Sequence, residues 1–496
     1  MENRYYHSTR GNGKLSPKEA VLRGIADDGG LYVWDGLEDV RLDLDALLKL
    51  DYQEMAKRLF AEVLWDYSEE ELARCVDLAY TGKFDSEQIT PLVMAGDLPV
   101  LELFHGPTSA FKDVALCMLP QLMSTALNGR KEKVMIVTAT SGDTGKAALS
   151  GFQDAENIGI TVFYPYGKVS DIQRLQMVCQ QGENVRVCAI RGNFDDAQSG
   201  VKRLFHSAQA KAALDEDHIV LSSANSINIG RLVPQIVYYF AAYRQLLEAG
   251  AVQMGEEVNF CVPTGNFGNV LAGYYAKLMG LPVHRLIVAA NENNVLEDFL
   301  NTGVYDRNRP FHQTISPSMD ILISSNLERM LYYLSGKDSV KVAGWMKDLA
   351  EQGRYEVDAQ AKEKIASLFL SASCDNAQTS AQIRSVYARC GYVMDPHTAV
   401  GAHVLEQLKD RLDGKVTVLL STASPYKFTR DVLKALGEAQ EGLDDFACMR
   451  KLEQLSKQKI PAGLYALKDM PERFADVISC EEMEEYVIAG AREILK

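Results

Sequence analysis

The fold is decided by the stretch Val258-Asn-Phe-Cys-Val-Pro-Thr-Gly-Asn-Phe-Gly-Asn269. Its first half is mostly apolar, which is typical of a strand covered on both faces, and a glycine-containing loop and a helix start follow. Gly265 and Gly268 let backbone amides surround an anion, and the helix N-terminus adds unpaired N–H groups. The stretch predicts a strand–loop–helix unit with a phosphate cradle. A tight turn that uses glycine only for packing has the same pattern.

The same alternation extends along the chain from about residue 95. Short apolar runs alternate with amphipathic segments, which is typical of parallel βα units and of an α/β fold. The other predicted buried strands are 134–137, 160–164, 185–190, 286–290 and 416–420. Ligands of such sheets bind at the carboxyl ends of the strands, so we expect the site in the loops there.

The first ninety residues have a different pattern, with helices and turns. The segments Ser16-Pro-Lys-Glu19 and Ser68-Glu-Glu-Glu71 match the signals that cap a helix N-terminus. Residues 27–33 indicate a turn that leads into a short strand.

A lysine with unusual neighbours lies in the segment His105-Gly-Pro-Thr-Ser-Ala-Phe-Lys-Asp113. Lys112 follows a Gly-Pro turn and an Ala-Phe pair, so we expect it to be partly desolvated. Desolvation lowers the pKa of an amine and makes the amine nucleophilic, as a Schiff-base lysine requires. The alternative is a solvated lysine beside a turn.

The strand predicted at 134–137 ends in a loop rich in hydroxyl groups, Thr138-Ala-Thr-Ser-Gly-Asp-Thr-Gly145. Hydroxyls and backbone amides converge there, so the loop suits a carboxylate, a phosphate or a ring substituent. Lys146 follows directly, but a nucleotide P-loop needs a glycine at Thr140 and a hydroxyl residue at Ala147. We therefore exclude a P-loop.

Two more segments carry a cation among hydroxyl and amide side chains, Ser223-Ala-Asn-Ser-Ile-Asn-Ile-Gly-Arg231 and Ser421-Thr-Ala-Ser-Pro-Tyr-Lys-Phe428. Arg231 could bind a phosphate or a carboxylate through two parallel hydrogen bonds, and Lys427 adds a cation at a strand end. The alternatives are a helix cap with Arg231 in a surface ion pair, and a simple turn rich in serine and threonine.

Composition excludes several classes of function. The chain of 496 residues is long enough for two or three domains, and its net charge of −15 argues against binding to nucleic acid or to an anionic membrane. The nine cysteines include no Cys-x-x-Cys pair, so we expect neither a disulfide framework nor a metal site. The sequence shows no secretory signal and no transmembrane run, and a reducing cytoplasm is the simplest location.

Together these segments offer a nucleophilic lysine, a phosphate cradle, a donor-rich loop and a strand end with hydroxyl groups. Pyridoxal phosphate requires such a set, because it needs an amine for its aldehyde, an anion site, a partner for its ring nitrogen and a carboxylate site for its substrate. We therefore predict pyridoxal phosphate as the cofactor.

The sequence resembles the threonine synthases, in particular the long bacterial and fungal branch that has an extra N-terminal domain. The resemblance covers essentially the whole chain. Besides the segments around Lys112, Asp143, Ser226, Gly265 and Thr422, it rests on Tyr6-His-Ser-Thr-Arg-Gly11, Asp27-Asp-Gly-Gly-Leu-Tyr-Val33, Ser318-Met-Asp-Ile-Leu-Ile-Ser-Ser-Asn-Leu-Glu-Arg329 and Asp395-Pro-His-Thr-Ala399. It implies a fold-type-II pyridoxal-phosphate enzyme with a mainly helical N-terminal domain, residues 1–90, and two parallel-sheet α/β domains within residues 91–496.

The resemblance also implies roles for single residues. Lys112 matches the lysine that bonds the cofactor aldehyde, and Thr422 matches the hydroxyl residue that faces the pyridine nitrogen. The phosphate-binding loop is matched by Gly265, Asn266, Phe267, Gly268 and Asn269. Asp143 stands where many related enzymes carry asparagine beside the cofactor's 3′-oxygen, and a carboxylate there would repel a phenolate unless a proton or a cation intervened.

The implied activity is that of a carbon–oxygen lyase, which converts O-phospho-L-homoserine and water to L-threonine and phosphate. The candidate substrate-binding residues are Ser141, Gly142, Asp143, Thr144, Ser226, Asn228, Arg231 and Lys427. We expect Arg231, Ser226 and Lys427 to hold the leaving phosphate and the 141–144 loop to hold the α-carboxylate, in a monomer or homodimer. The alternatives are an enzyme of the threonine dehydratase or cysteine synthase type, and a non-catalytic relative that binds a phosphorylated ligand.

Overall fold

The computed structural model of the chain describes residues 4–11, 13–140 and 142–495. The strands, in chain order, are β1 His7–Ser8, β2 Tyr32–Val33, β3 Leu92–Ala95, β4 Leu98–Glu102, β5 Lys133–Ala139, β6 Ile158–Pro165, β7 Val185–Ile190, β8 Ile219–Ser222, β9 Val258–Pro263, β10 Val283–Ala290, β11 Val304–Asp306, β12 Arg354–Glu356, β13 Phe369–Ser373, β14 Thr417–Ser421 and β15 Val477–Ile478. The predicted buried strands all lie at β5, β6, β7, β9, β10 and β14, within three residues of the observed bounds.

Helices surround these strands. They are α1 Pro17–Arg23, α2 Leu44–Leu47, α3 Tyr52–Val63, α4 Glu69–Tyr80, α5 Lys112–Leu116, α6 Leu119–Leu127, α7 Asp143–Phe152, α8 Asp171–Val178, α9 Phe194–His206, α10 Ala208–Asp215, α11 Ile229–Glu248, α12 Gly268–Leu278, α13 Val295–Thr302, α14 Leu327–Leu334, α15 Ser339–Gln352, α16 Ala359–Leu368, α17 Asn376–Cys390, α18 Pro396–Leu408, α19 Thr429–Ala435, α20 Asp445–Ser456, α21 Ala462–Tyr465 and α22 Met483–Ile494. In the described part of the chain, no helix combines the length and apolar character that crossing a bilayer requires.

The larger sheet has six strands in the order β13-β10-β9-β14-β4-β3. Its neighbours run parallel except for β3 and β4, which form an antiparallel hairpin at one edge. All six residues of β9 are buried, as a strand covered on both faces requires. The loop with Gly265 and Gly268 therefore leaves the carboxyl end of a central strand.

The smaller sheet has five parallel strands in the order β15-β7-β6-β5-β8. Strands β5 to β8 come from one continuous part of the chain between β4 and β9. Strand β15 comes from the C-terminal segment and pairs with β7 at Val477 opposite Ala189. The prediction of two parallel-sheet α/β domains is confirmed.

The N-terminal part is mainly helical, as predicted. Ser16 caps α1 by accepting a hydrogen bond from the Glu19 backbone amide, and Ser68 and Glu71 form a reciprocal capping box at α4. This part is joined to α14 by buried polar contacts. The fully buried Arg329 donates from Nε to the Tyr32 carbonyl oxygen at 2.9 Å. The N-terminal part is therefore fixed to α14 by buried hydrogen bonding rather than standing apart from it.

Candidate active site

Lys112 is the first residue of α5 and lies between the two sheets. The loop before it is held by the buried Asp113, whose carboxylate accepts from the Thr108 amide at 2.8 Å and from the Thr108 hydroxyl at 2.6 Å. The Phe111 amide donates to the Thr422 carbonyl oxygen at 2.9 Å. The Thr108–Asp113 bonds hold the lysine loop together internally, and the Phe111–Thr422 bond fixes it against the end of β14.

The Lys112 amine is desolvated, as the sequence predicts. Its side chain is 11% exposed, and Nζ donates to the Ser318 hydroxyl at 3.2 Å. Burial lowers the pKa of Lys112 to about 8, with the Asp143 carboxylate opposing this shift and the Lys427 and Arg231 charges adding to it. An amine with that pKa is partly neutral near physiological pH and can act as a nucleophile or a base.

Asp143, at the start of α7, forms a buried ion pair that the sequence did not predict. Lys427 Nζ lies 2.7 Å from Asp143 Oδ1, while Lys112 Nζ lies 3.9 Å from Oδ2. Burial alone would raise the pKa of the Asp143 carboxyl, but Lys427 and Lys112 outweigh burial and hold that pKa well below its ordinary range. Lys427 is therefore the cation that would let the Asp143 carboxylate lie beside the 3′-phenolate of the cofactor.

The glycine loop after β9 is shaped by close backbone approaches. Phe267 has a left-handed φ of 63° and directly precedes α12. A Cβ atom on Gly265 would lie 2.4 Å from the Ser318 carbonyl oxygen, so only glycine fits there. The Asn326 amide donates to the Asn266 carbonyl oxygen at 3.1 Å and closes the loop from outside.

Asn269 points its side chain into this loop region from the first turn of α12. Its Oδ1 accepts hydrogen bonds from the Tyr238 hydroxyl at 2.7 Å and the Tyr239 hydroxyl at 2.9 Å. Its Nδ2 is buried and has no partner among the described residues. A buried amide donor without an acceptor is costly, and an anion held at the helix N-terminus would satisfy it.

The segment before α11 brings Ser226 to the glycine loop and buries Arg231 at the start of the helix. A Cβ atom on Gly268 would lie 3.9 Å from Ser226 Cβ and 3.5 Å from Asn326 Nδ2, so Ser226 borders the glycine loop. Arg231 is 3% exposed and donates from Nη1 to the Ala224 carbonyl oxygen at 2.7 Å. Its Nε has no partner among the described residues, and burial lowers the pKa of its guanidinium to about 10. Arg231 is thus not in a surface ion pair.

Two candidate substrate residues are engaged elsewhere. Asn228 is fully buried; it caps α11 through the Gly230 amide and donates to the Val21 carbonyl oxygen at 2.9 Å. The helix-cap alternative therefore describes Asn228. Lys427 directs its ammonium to Asp143 and to the Thr108 carbonyl oxygen at 3.0 Å, and its side chain has no exposed surface. Neither side chain is free to meet a substrate phosphate.

The remaining candidates lie at strand ends of the two sheets. Thr422 directly follows β14 and is 6% exposed, beside the Lys112 loop. Gly142 has a φ of 149°, and a Cβ atom there would lie 2.4 Å from the Gln173 amide nitrogen. Thr144 is half-buried in the first turn of α7, and Ser141 lies outside the described residues.

Two residues near Lys112 were not among the predicted site residues. Ser318 accepts from Lys112, and its own amide donates to His397 Nε2 at 3.2 Å. Because Nε2 accepts, the His397 proton lies on Nδ1, which faces Asp395 Oδ1 at 2.7 Å. The motifs around Ser318 and Asp395 are part of the family resemblance, and that was the only sequence signal for them.

These residues fit pyridoxal phosphate. The buried amine of Lys112 suits its aldehyde, and the glycine loop with the unpartnered Asn269 Nδ2 suits its phosphate. Asp143, neutralised by Lys427, suits the vicinity of its ring oxygen. The donors come from loops at strand ends of both sheets, with Lys112, Asp143 and Ser318 in mutual contact. The space between these loops is called the cleft below.

Comparisons with known proteins agree with this geometry. Residues 5–80 match the family model "Threonine synthase N terminus", residues 85–373 match "Pyridoxal-phosphate dependent enzyme", and residues 398–487 match "Threonine synthase, C-terminal". Threonine synthase from Pseudomonas aeruginosa is 40% identical over 88% of this chain and 91% of its own length. The crystal structure of pyridoxal-phosphate-bound threonine synthase from Brucella melitensis superposes with a TM-score of 0.88 at 38% identity, covering 99% of this chain and all of that one.

A second group of relatives carries a different name. Threonine synthase-like 1 from Pongo abelii is 38% identical over 99% of this chain, which spans only 66% of that relative's length. On the three family models together with the match to the Pseudomonas aeruginosa protein, the chain belongs to the threonine synthase family of pyridoxal-phosphate-dependent enzymes.

Proposed function

We propose that this chain is a threonine synthase, which uses pyridoxal phosphate to convert O-phospho-L-homoserine and water to L-threonine and phosphate. The observation that carries the proposal is Arg231. Its guanidinium is buried and close enough to Lys112 for its charge to act on that amine, and no carboxylate of the described residues lies within ion-pair distance of it. A buried charge without a partner is unfavourable, and the phosphate of the substrate would neutralise it.

The residues take the following roles in this proposal. Lys112 bonds the cofactor aldehyde, the loop of Gly265, Asn266, Phe267, Gly268 and Asn269 holds the cofactor phosphate, and Thr422 faces the ring nitrogen. Arg231 and Ser226 bind the substrate phosphate, and the 141–144 loop binds the α-carboxylate. Asn228 acts as a helix cap, and Lys427 keeps Asp143 ionised instead of binding phosphate.

The chemistry then depends on a base at Lys112. Pyridoxal phosphate, when bound, supplies an electron sink for negative charge at the substrate Cα. The Lys112 amine, released by the incoming substrate, takes the proton from Cα, and its pKa of about 8 suits that task near neutral pH. Lys112 passes this proton on and then removes one from Cβ, and the charge at Cβ expels the phosphate by breaking the C–O bond at Cγ. Arg231 stabilises the negative charge on the departing phosphate. Lys112 then returns protons while water adds at Cβ.

The test combines spectroscopy with product analysis. The purified protein should show a visible absorption band that borohydride bleaches, and mass spectrometry should locate the reduced adduct on Lys112. Lys112→Ala should lose the band. Lys146→Ala is the matched control, because Lys146 is also buried with its pKa lowered to about 8 but donates to Gln180 at 2.6 Å. Absence of the band in the unaltered protein would favour a non-catalytic relative that binds a phosphorylated ligand.

Product analysis separates the remaining alternatives. Threonine and phosphate formed from O-phospho-L-homoserine in equal amounts would support the proposal. Formation of 2-oxobutyrate from threonine, or of pyruvate from serine, without phosphate release would instead indicate a dehydratase or a cysteine synthase type of enzyme. The relatives named threonine synthase-like 1 make this comparison necessary.

Three further points belong to the proposal. Residues 1–90 form the N-terminal domain and residues 91–496 form the pyridoxal-phosphate-binding region. All nine cysteines have free thiols, which supports a cytoplasmic location. The protein is a monomer or a homodimer, and light scattering of the purified protein would decide between the two states. Its binding partner is the small-molecule substrate.

A further inference from the structure

We propose that Ser318 is a catalytic residue with two effects on Lys112. It keeps the Lys112 amine apart from the Asp143 carboxylate, and it directs the lone pair of that amine into the cleft. This inference rests on the proposed role of Lys112 as the reacting amine. Ser318 belongs neither to the glycine loop nor to the proposed substrate-binding residues, so the proposed function gives it no role. Its basis is the position of one hydroxyl group between a cation and an anion.

The geometry places Ser318 Oγ between the two charged groups. Lys112 Nζ lies 3.2 Å from Ser318 Oγ, and Ser318 Oγ lies 3.4 Å from Asp143 Oδ2. The direct distance between Lys112 Nζ and Asp143 Oδ2 is 3.9 Å, which is beyond a hydrogen bond. The serine hydroxyl can donate to the carboxylate and accept from the amine at the same time.

This arrangement has a consequence for the neutral amine. A neutral lysine has two N–H groups and one lone pair. Because the Ser318 hydroxyl donates towards Asp143, it offers Lys112 only an acceptor, so one N–H points at the serine and the lone pair is left for the cleft. Direct contact with Asp143 would instead favour the ammonium form and remove the base.

Ser318 is held in place from two sides. Its amide donates to His397 Nε2, and His397 is 2% exposed and fixed by Asp395 through Nδ1. Its carbonyl oxygen packs against Gly265, where a Cβ atom would come within 2.4 Å. His397 and Asp395 are therefore positioning residues, since they act on Lys112 only through Ser318.

Other charged groups near Lys112 come from separate elements. Asp143 lies on α7, Lys427 follows β14, Arg231 lies on α11, and Asp113 is the next residue of α5. Asp113 is occupied by Thr108, and Asp143 is paired with Lys427. Of the two carboxylates, only Asp143 keeps an oxygen directed towards Lys112, so the spacing set by Ser318 decides how strongly that carboxylate acts on the amine.

The experiment measures the amine itself and needs no turnover. Cofactor-free full-length protein is treated at a series of pH values with acetic anhydride, and mass spectrometry gives the labelling rate of Lys112. The unaltered protein should show a midpoint near the pKa of about 8. Ser318→Ala should raise the midpoint by about one pH unit, so that labelling at pH 7 falls about tenfold. Ser318→Thr, which keeps the hydroxyl, should restore it.

Two controls make the outcome specific. Ser124→Ala removes the hydroxyl of another half-buried serine, which donates to the Glu156 carbonyl oxygen, and should leave the Lys112 midpoint unchanged. In an Asp143→Asn background, adding Ser318→Ala should no longer raise the Lys112 midpoint. The loss of the serine hydroxyl raises the midpoint only by exposing Lys112 to the Asp143 carboxylate, and that carboxylate is absent in this background. In the holoenzyme, the pH at which the visible band changes should move in Ser318→Ala and not in Ser124→Ala.

The proposal is overturned if Ser318→Ala leaves the labelling midpoint unchanged or lowers it. An equal rise in Ser318→Ala and Ser318→Thr would also overturn it, because the hydroxyl would then be irrelevant. These results do not depend on which substrate the enzyme takes. If the protein released no phosphate from O-phospho-L-homoserine but showed the predicted shift of the Lys112 midpoint, the proposed function would be wrong and the inference about Ser318 would still hold.

Discussion

Replacing Lys427 by methionine tests whether the buried Asp143–Lys427 ion pair stabilises the fold. The substitution keeps an unbranched side chain of similar length in a site with no exposed surface, and it removes the charge together with the hydrogen bond to the Thr108 carbonyl oxygen. Asp143 would keep its burial but lose its contact at 2.7 Å, leaving Lys112 at 3.9 Å as its nearest cation. Breaking a buried pair by removing one partner costs about 3–5 kcal/mol. Because Lys112 compensates in part, we expect about 3 kcal/mol at pH 7.

The pH dependence has a definite sign. In the unaltered protein the Asp143 pKa is lowered on folding, so its ionisation stabilises the fold above the unfolded value of about 4, and this contribution is lost as the pH falls through the lower folded value. In Lys427→Met, burial dominates and raises the Asp143 pKa. The neutral carboxyl is cheaper to bury, so the destabilisation should shrink between pH 7 and pH 4.5.

Urea unfolding of the cofactor-free full-length protein at both pH values provides the measurement. The control is Lys451→Met, which breaks an ion pair of similar length, 2.8 Å to Glu438, whose side chains are 27% and 34% exposed. That variant should lose at most about 1 kcal/mol. The double variant Lys427→Met/Asp143→Leu should recover most of the stability, because neither member of the pair then leaves a buried charge behind. Equal losses in Lys427→Met and Lys451→Met would refute the reasoning.

Three further predictions follow from the site. Lys112→Met should stabilise the cofactor-free protein at pH 7 by up to about 3 kcal/mol, because folding lowers the Lys112 pKa to about 8. Urea unfolding should show this gain fading between pH 8 and 10.5, since in that range the unfolded chain still binds the lysine proton and the folded chain does not. Arg231→Ala should lower kcat/KM for O-phospho-L-homoserine about 100-fold or more while the visible band remains, and unchanged kinetics would exclude its phosphate contact. Gly265→Ala should cost about 1–3 kcal/mol and weaken cofactor binding, measured by fluorescence titration, because its Cβ meets the Ser318 backbone at 2.4 Å. Gly344→Ala, with nothing within 4 Å of its Cβ, should have neither effect.

Much of the architecture could be predicted because its signals are local. An apolar run such as 258–262 marks a strand, and Ser68 with Glu71 marks a helix start, because burial and capping act between neighbours in sequence. The glycine loop follows from the same logic. Strand β15 was missed because a two-residue strand carries no periodic pattern and forms only where β7 offers it an edge.

The site was predictable in its parts but not in its pairings. Lys112 and Asp143 stand out in their own segments, whereas the contact of Asp143 with Lys427 joins residues far apart in the chain. No pattern of residue spacing in the sequence predicts such a pair, since only the packed fold brings the two side chains together. For the same reason the sequence allowed Arg231 either in a surface ion pair or in the site, and its burial excludes the surface ion pair. The position of Ser318 beside Lys112 depends on a backbone contact with Gly265, which sequence alone does not encode.

The pairing of β15 with β7 has a consequence for how the protein is made. During synthesis, strands β5 to β8 leave the ribosome long before Val477 and Ile478, so the outer edge of β7 stays open while the larger sheet is still being completed. An open parallel edge can recruit another chain, and a nascent chain is exposed to that risk for the time needed to add nearly three hundred residues. We therefore expect newly synthesised chains to depend on chaperones at this late stage, and variants that weaken β15 or α22 to aggregate in cells more than their loss of equilibrium stability would indicate.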